Sequence, residues 1–316
     1  MKHKVVVIGA GYFGERHIKA LSQIEEVNII GIAEKDTERG RAIAESFNIK
    51  HAEDFREFLE EATTFFIVTP TKTHFEITME LIQAGKNIFI EKPITENPIQ
   101  AKILIDEAIK RGIIFQIGLI ERFNPVIETL FGLLKNPKFI VARRVSPFLG
   151  RATDTHVTFD LMIHDLDLIF YLLKETNETP EVKEIKSFNN SIVTDKIDFS
   201  QVWIDFSIKE KTIGTNLTAS RVANGFERRL SIMDEDSALY ADLIGKTIVK
   251  IDQKGNSIEI AVKNKEKQPL QEEIKDFLQS IKEQRLSYIA PKPDEIVRTI
   301  EIINKINGGK IDEAIH

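Results

Sequence analysis

Close to its start the chain runs Val5-Val6-Val7-Ile8 into Gly9-Ala10-Gly11-Tyr12-Phe13-Gly14, an apolar strand-like run feeding a GxGxxG turn. No other feature restricts the possible folds so sharply. Gly9 permits the tight turn, Gly11 lets the backbone approach a phosphate with no Cβ in the way, and Gly14 lets the next helix lie close to the strand. That helix directs its N-terminal amides at an anion. The expected unit is strand, turn and helix in a parallel sheet, with a dinucleotide pyrophosphate on the turn.

Glycine-rich turns also occur in plain strand-to-helix connections, so the flanks decide. A helical stretch from Phe13 to about Gln23 leads to a second apolar run, Val27-Asn28-Ile29-Ile30-Gly31-Ile32-Ala33, which ends at Glu34 about twenty residues past the last glycine. A carboxylate there accepts hydrogen bonds from the adenosine ribose hydroxyls and repels a 2′-phosphate, so NAD(H) is expected over NADP(H). Lys35 and Arg39 lie close enough to soften that preference. The expected cofactor contacts on the turn are Gly9, Ala10, Gly11, Tyr12, Phe13 and Gly14.

With 316 residues the chain can bury a large core and is expected to form two domains. Its net charge of −6 argues against nucleic acid or an anionic membrane as the main partner. With no cysteine there is no disulfide, thiolate metal site, iron–sulfur cluster or cysteine nucleophile, and the remaining His and Asp residues show no metal-ligand spacing. Only Met1-Lys2-His3-Lys4 precede the first strand, and no apolar run nears the length of a membrane span, so a cytoplasmic protein is expected.

Residues 1–119 alternate apolar runs with helical spacing, as a Rossmann-type doubly wound parallel sheet of the α/β class would. Its further strands are expected at Thr64–Val68, Asn87–Ile90 and Ile113–Ile117, with helices His74–Ala84 and Pro98–Arg111 closed by Gly85 and Gly112. Residues 120–316 read as an α+β domain with helices near Pro125–Leu134 and Phe159–Leu173, a strand at Phe139–Val145, and mostly strands after that. An amphipathic helix, Pro293–Ile306, comes last and is closed by Gly308-Gly309. The strand Ile197–Ile208 carries apolar residues on both parities: Ile197, Phe199 and Trp203 on one, Val202, Ile204, Phe206 and Ile208 on the other. Helices are expected on one face and another subunit on the second, with a wholly intramolecular core as the alternative.

Three more constellations stand at or near carboxyl ends of expected strands, where ligands of open α/β sheets bind. Thr69-Pro70-Thr71-Lys72-Thr73-His74 is one, and it can equally be a connecting loop whose threonines cap a helix. Glu91-Lys92-Pro93 is another: a lysine there, fixed by a proline, can project its ammonium into the cofactor crevice, or it can be a solvated surface lysine. In Asp160-Leu161-Met162-Ile163-His164, Asp160 and His164 share one face of a helix and can address one substrate, or serve only as an N-terminal acid and a satisfied histidine.

In order and spacing these motifs resemble the Gfo/Idh/MocA family of NAD(P)-dependent oxidoreductases, across essentially the whole chain. The resemblance implies a Rossmann domain followed by a domain with an open mixed β-sheet whose face forms a subunit interface, hence a homo-oligomer, a dimer or tetramer. It assigns Thr69, Pro70, His74, Glu91 and Lys92 to the cofactor side and Lys92, Asp160 and His164 to catalysis. Such chemistry is sound for a secondary alcohol: a neutral imidazole at His164 removes the hydroxyl proton, Lys92 steadies the developing alkoxide, and Asp160 orients the sugar or the base.

The run Gln116-Ile117-Gly118-Leu119-Ile120-Glu121-Arg122-Phe123-Asn124-Pro125 resembles the branch of UDP-N-acetylglucosamine 3-dehydrogenases, departing from it at Leu119, where a histidine is common. That implies oxidation of a UDP-N-acetylhexosamine 3-hydroxyl, with an aminotransferase as a pathway partner. Arg122, Asn124, Arg151 and Arg221 are the corresponding candidate substrate contacts; Arg143, Arg144, Arg228 and Arg229 complete an arginine set suited to a pyrophosphate or to surface salt bridges. Two rival functions stay open: a dehydrogenase of free sugars or inositol, and a nonenzymatic NAD-binding regulator.

Overall fold

The computed structural model describes residues 2–173 and 180–308. They form two compact units, one comprising the chain up to Ile120 plus Gln268–Pro293, the other Glu121–Lys267 plus the chain from Asp294.

In the first unit the order is β1 (His3–Ile8), α1 (Tyr12–Ser22), β2 (Val27–Ala33), α2 (Thr37–Phe47), β3 (Lys50–Ala52), β4 (Thr64–Ile67), α3 (His74–Gln83), β5 (Asn87–Glu91), α4 (Pro98–Lys110) and β6 (Phe115–Gly118). The six strands are all parallel and lie in the order β3-β2-β1-β4-β5-β6, so the chain reverses direction across the sheet between β1 and β4. Val5, Val6 and Val7 are wholly buried, as a central strand covered on both faces requires. Asn97 caps α4 by accepting from Ile99 N at 2.9 Å with Pro98 in the first turn, and Gly85 and Gly112 follow α3 and α4 with φ of +67° and +65°.

The second unit contains α5 (Pro125–Phe131), β7 (Phe139–Val145), α6 (Ile163–Leu172), β8 (Glu181–Asn190), β9 (Phe199–Ile208), β10 (Lys211–Ser220), β11 (Glu227–Met233), β12 (Ser237–Asp242), β13 (Thr247–Asp252) and β14 (Ser257–Ile260). These strands make an open mixed sheet in the order β14-β13-β12-β11-β7-β10-β9-β8, with β7 and β10 parallel and the other neighbours antiparallel.

Two helices close the described chain, α7 (Pro269–Glu283) and α8 (Pro293–Ile306). The sequence reading placed everything after residue 119 in one second domain, and α7 corrects it. Its apolar stripe of Ile274, Phe277, Leu278 and Ile281 is buried in the first unit, where Phe277 meets Phe66 at 5.5 Å and Phe89 at 5.6 Å between ring centroids. An amphipathic helix goes where a matching apolar face is open, and the α1 side of the parallel sheet supplies one. Gly308 follows α8 with φ +84°, while Gly309 lies outside the described residues.

On β9, Val202, Ile204, Phe206 and Ile208 are buried, with Phe206 packed edge-on to Phe170 of α6. The opposite parity stays open: Trp203 is 40% exposed and its ring lies 5.1 Å from that of Phe139. Helices therefore cover the face that carries Val202, Ile204, Phe206 and Ile208, and the other face is more exposed. Among the described residues no helix is long and apolar enough to cross a membrane.

Candidate active site

The turn after β1 has the shape of a dinucleotide cradle. Gly9 adopts φ +101°, where a side chain would be strained and a Cβ would meet Val68 O at 2.5 Å. At Gly14 a Cβ would lie 2.1 Å from Gly9 O, so α1 cannot approach the strand with anything larger there. A Cβ on Gly11 would meet nothing within 4 Å, so the missing atom leaves open space at the N-terminus of α1, where a pyrophosphate would rest. Ala10 is buried, whereas Tyr12 and Phe13 are 62% and 47% exposed, with the Arg16 guanidinium over both rings.

Glu34 follows β2, and its carboxylate reaches back to the turn. Oε2 accepts from Ala10 N at 2.7 Å and Oε1 from Asp36 N at 3.0 Å. Each oxygen keeps a lone pair for a ribose hydroxyl. The Arg39 side chain donates to Asp36 at 2.9 Å, so this cation is paired beside the site expected for the ribose.

Beyond β4, Thr69 accepts from the Thr73 hydroxyl at 2.8 Å, and Pro70 O accepts from the same hydroxyl at 2.9 Å. His74 differs from expectation. It is 1% exposed, its Nδ1 lies 2.9 Å from Pro93 O and its Nε2 2.9 Å from Thr69 O. Burial pushes its pKa down against those two hydrogen bonds. Both ring nitrogens face backbone carbonyls of the β4 and β5 loops, and the neutral ring, with one N–H, donates to one of them.

Glu91 also turns away from the expected role. Its Oε1 accepts from His17 Nε2 at 2.7 Å and its Oε2 from the Lys92 backbone N–H at 3.3 Å. Burial raises this carboxyl, but the His17 hydrogen bond and the charge of Lys92 outweigh it and hold the pKa below the ordinary value. Lys92 follows directly at the carboxyl end of the sheet, half-buried and joined to Pro93 by a cis peptide bond. The turn, Glu34, Thr69, Pro70 and Lys92 thus all stand at the carboxyl ends of β1, β2, β4 and β5.

Asp160 and His164 belong to the second unit, both half-buried. Their segment departs from a plain α-helix: Thr158–Met162 forms a π-helical turn, with Ile163 N donating to Thr158 O, before α6 begins. Such wide turns recur at functional sites. The turn is anchored by the Thr158 hydroxyl, which donates to Asn307 at 2.8 Å, and by Ile197 N, which donates to His156 Nδ1 at 3.1 Å.

Two buried arginines fasten α6 by its next acids. Arg144 donates to Asp165 at 2.8 Å and to Glu121 at 2.7 Å, and Arg228 also donates to Glu121, at 3.0 Å. Burial pushes the Asp165 carboxyl up against the pull of Arg144, whereas at Glu121 the two arginines prevail over burial and hold the pKa down. Arg122, wholly buried, donates to Asp167 at 2.6 Å and to Glu295 at 2.8 Å.

These contacts correct three expected substrate residues. Arg122 is sealed inside its carboxylate pair. Asn124, 5% exposed, caps α5 through Val126 N at 3.0 Å and donates to Leu243 O at 3.3 Å. Arg221, 4% exposed, donates to Thr155 O at 2.7 Å and to Ala152 O, which tethers the loop leading to Asp160. Of the remaining arginines, Arg151 and Arg229 are exposed, Arg143 pairs with Glu227 at 2.8 Å, and the Arg228 side chain is 48% exposed. Sequence reasoning missed His17 altogether. Its signal was a histidine on the apolar stripe Gly14, His17, Ile18, Leu21 of α1.

Comparison with known proteins bears on the family and the fold. The model of the family described as "Oxidoreductase family, NAD-binding Rossmann fold" matches residues 3–119. UDP-N-acetylglucosamine 3-dehydrogenase of Acidithiobacillus ferrooxidans is 32% identical over 87% of this chain and 87% of its own. A solved structure of that enzyme is similar at a TM-score of 0.88 and 28% identity, covering 98% of this chain and 97% of that one. Myo-inositol 2-dehydrogenase of Thermotoga maritima is 24% identical over 80% of this chain and 79% of its own.

Proposed function

The chain belongs to the Gfo/Idh/MocA family of NAD-binding oxidoreductases, and from that premise we propose that it oxidises the 3-hydroxyl of a UDP-N-acetylhexosamine such as UDP-N-acetylglucosamine. The observation that carries the substrate is the likeness to the Acidithiobacillus enzyme, whose solved structure covers 98% of this chain and 97% of its own, joined to EKP and DxxxH motifs that are intact here.

NAD, when bound, supplies the acceptor for the hydride. The Gly9–Gly14 turn and the amides of α1 would hold its pyrophosphate, and the remaining lone pairs of Glu34 would hold its ribose. At the substrate the C–H bond breaks with its electron pair while the O–H proton leaves for the His164 imidazole. The Lys92 ammonium faces the oxygen as it gains charge, which lowers the barrier where the charge develops. Asp160, one turn before His164, orients the sugar or the imidazole. Of the arginine set, Arg143, Arg151, Arg228 and Arg229 have exposure enough to meet a diphosphate. A second copy of the chain covers the open sheet face, where Phe188 is 65% and Trp203 and Tyr240 each 40% exposed.

Purified protein is mixed with NAD and, separately, UDP-N-acetylglucosamine, UDP-N-acetylgalactosamine, inositol and free hexoses, and NADH is read by absorbance with a ketone-trapping amine present. Reduction by a UDP-sugar is expected; reduction by unphosphorylated polyols alone would overturn the sugar-nucleotide reading in favour of an inositol or sugar dehydrogenase. Lys92→Met and His164→Ala should each lower kcat by roughly a hundredfold or more while NADH still binds. Light scattering should show a dimer or larger assembly, and a monomer at micromolar concentration would remove the second copy.

A further inference from the structure

We propose that His17 is a positioning residue for the reaction, holding Lys92 in place through the Glu91 carboxylate; this rests on the reading that Lys92 acts on the reacting alcohol.

The geometry is a short relay from α1 to the end of β5. His17 lies on the buried face of α1, three residues after the last glycine of the turn, and is wholly excluded from solvent. Its ring sits 5.4 Å from Phe89 and 5.9 Å from Phe66, centroid to centroid, so aromatic packing fixes its plane. Nε2 donates to Glu91 Oε1 at 2.7 Å, while Nδ1 meets no hydrogen-bond partner among the described residues. A carboxylate accepts only, so the tautomer that carries its hydrogen on Nε2 satisfies the pair.

Glu91 is held at both carboxylate oxygens. His17 holds one oxygen, the Lys92 amide the other, and the carboxylate carbon lies 3.3 Å from where a Cβ on Gly118 would stand. β5 and β6 pair Glu91 with Gly118, so the absent side chain on the neighbouring strand makes room for the carboxylate. With its own side chain held, Glu91 fixes the peptide that begins Lys92. The next tie is His74, which grips Pro93 O. Lys92 therefore leaves a backbone clamped immediately before and after it.

An unmotivated buried histidine–glutamate pair would be costly to keep. Desolvating a carboxylate beside a buried imidazole gains little stability over a well-packed apolar pair. Its placement, one peptide from the lysine and one helix face from the cofactor turn, gives it a use: α1 carries the turn and His17 together, so the lysine is registered to the same element that holds the cofactor. Misplacing a reacting group by about 1 Å can cost about a hundredfold in rate.

The test measures steady-state kinetics of full-length H17L, H17Q, E91Q and K92M with NAD and whichever alcohol of the substrate panel has the highest kcat/KM, alongside NADH binding by fluorescence and thermal melting. H17L keeps the volume and loses the donor. Its kcat should fall roughly ten- to hundredfold, with KM for NAD and NADH affinity within about threefold of the parent. H17Q restores an N–H near the Nε2 position and should recover kcat to within about threefold. E91Q leaves His17 packed and should lower kcat roughly tenfold, which tests the relay even if H17L fails to fold. The proposal is overturned if H17L and E91Q keep kcat within about twofold, or if folded H17Q falls as far as H17L. K92M separates the two readings: near-parental turnover there removes Lys92 from the chemistry, whereas an inactive K92M beside fully active H17L and E91Q removes only the relay.

Discussion

Arg122→Leu distinguishes a structural arginine from a substrate contact. Arg122 is wholly buried, and its carboxylate partners Asp167 and Glu295 are 2% and 7% exposed. Leucine fills much of the volume but strands two carboxylates. Breaking a buried pair by removing one partner costs about 3–5 kcal/mol. Protonation limits the damage: neutralising one carboxyl of ordinary pKa near 4 costs about 4 kcal/mol at pH 7 and about 1.4 kcal/mol at pH 5. The sign follows from linkage. A stranded carboxyl has its folded pKa raised above its unfolded value, so the folded variant binds more protons and its stability rises as pH falls toward 5. At roughly 2–4 °C per kcal/mol for a unit of this size, melting by calorimetry should drop about 6–20 °C at pH 7. The gap to the parent should narrow by half or more at pH 5. A drop under about 2 °C, or a gap that ignores pH, would refute the buried-charge argument. A raised KM with unchanged melting would return Arg122 to the substrate.

Gly11→Ala should leave melting within about 1 °C, since its Cβ meets nothing within 4 Å, yet weaken NAD binding at least tenfold by titration calorimetry, because the space it enters is where the pyrophosphate lies. Gly14→Ala should lower melting as well, with its Cβ 2.1 Å from Gly9 O. Asp198 is wholly buried and accepts from the amides of Ile192, Val193 and Thr194 at 2.7–2.9 Å, which hold its pKa at about 2 against burial. Its folded pKa is depressed, so about 2 kcal/mol of stability is present above pH 4 and is lost as pH falls from 4 to 2; acid unfolding of Asp198→Asn should lack that component. Glu34→Gln removes the charge beside the ribose site and should lower NAD affinity severalfold while NADP becomes measurable as a cofactor; unchanged discrimination would show that Glu34 does not read the ribose.

The residues proposed to meet a ligand were legible because backbone and ligand together dictate local spacing. The glycine turn, Glu34, EKP and DxxxH could each be found within a few residues of chain, and the strands that carry them were legible from their apolar runs. Their supports were not, since a support is defined by a partner that the fold brings from far away. His17 and Glu91 are 74 residues apart and Arg122 and Glu295 are 173 apart, and nothing near either member announces the other. The arginines show why the ambiguity runs in one direction. A guanidinium suits a diphosphate and a buried carboxylate pair equally well, so arginine-rich sequence invites the ligand reading until burial is known. Here the acids decide: Glu121, Asp165, Asp167 and Glu295 sit on apolar helix faces or beside them, where an unpaired carboxylate is too costly to keep. Each such acid requires a buried cation, and Arg122 and Arg144 are those cations. Acids on apolar stripes thus separate the fastening arginines Arg122 and Arg144 from Arg151 and Arg229, which are exposed. The same rule reaches His17: a polar side chain on the buried stripe of the helix that starts at the glycine turn demands a partner, and it has one at the end of β5, beside the lysine proposed to act on the alcohol.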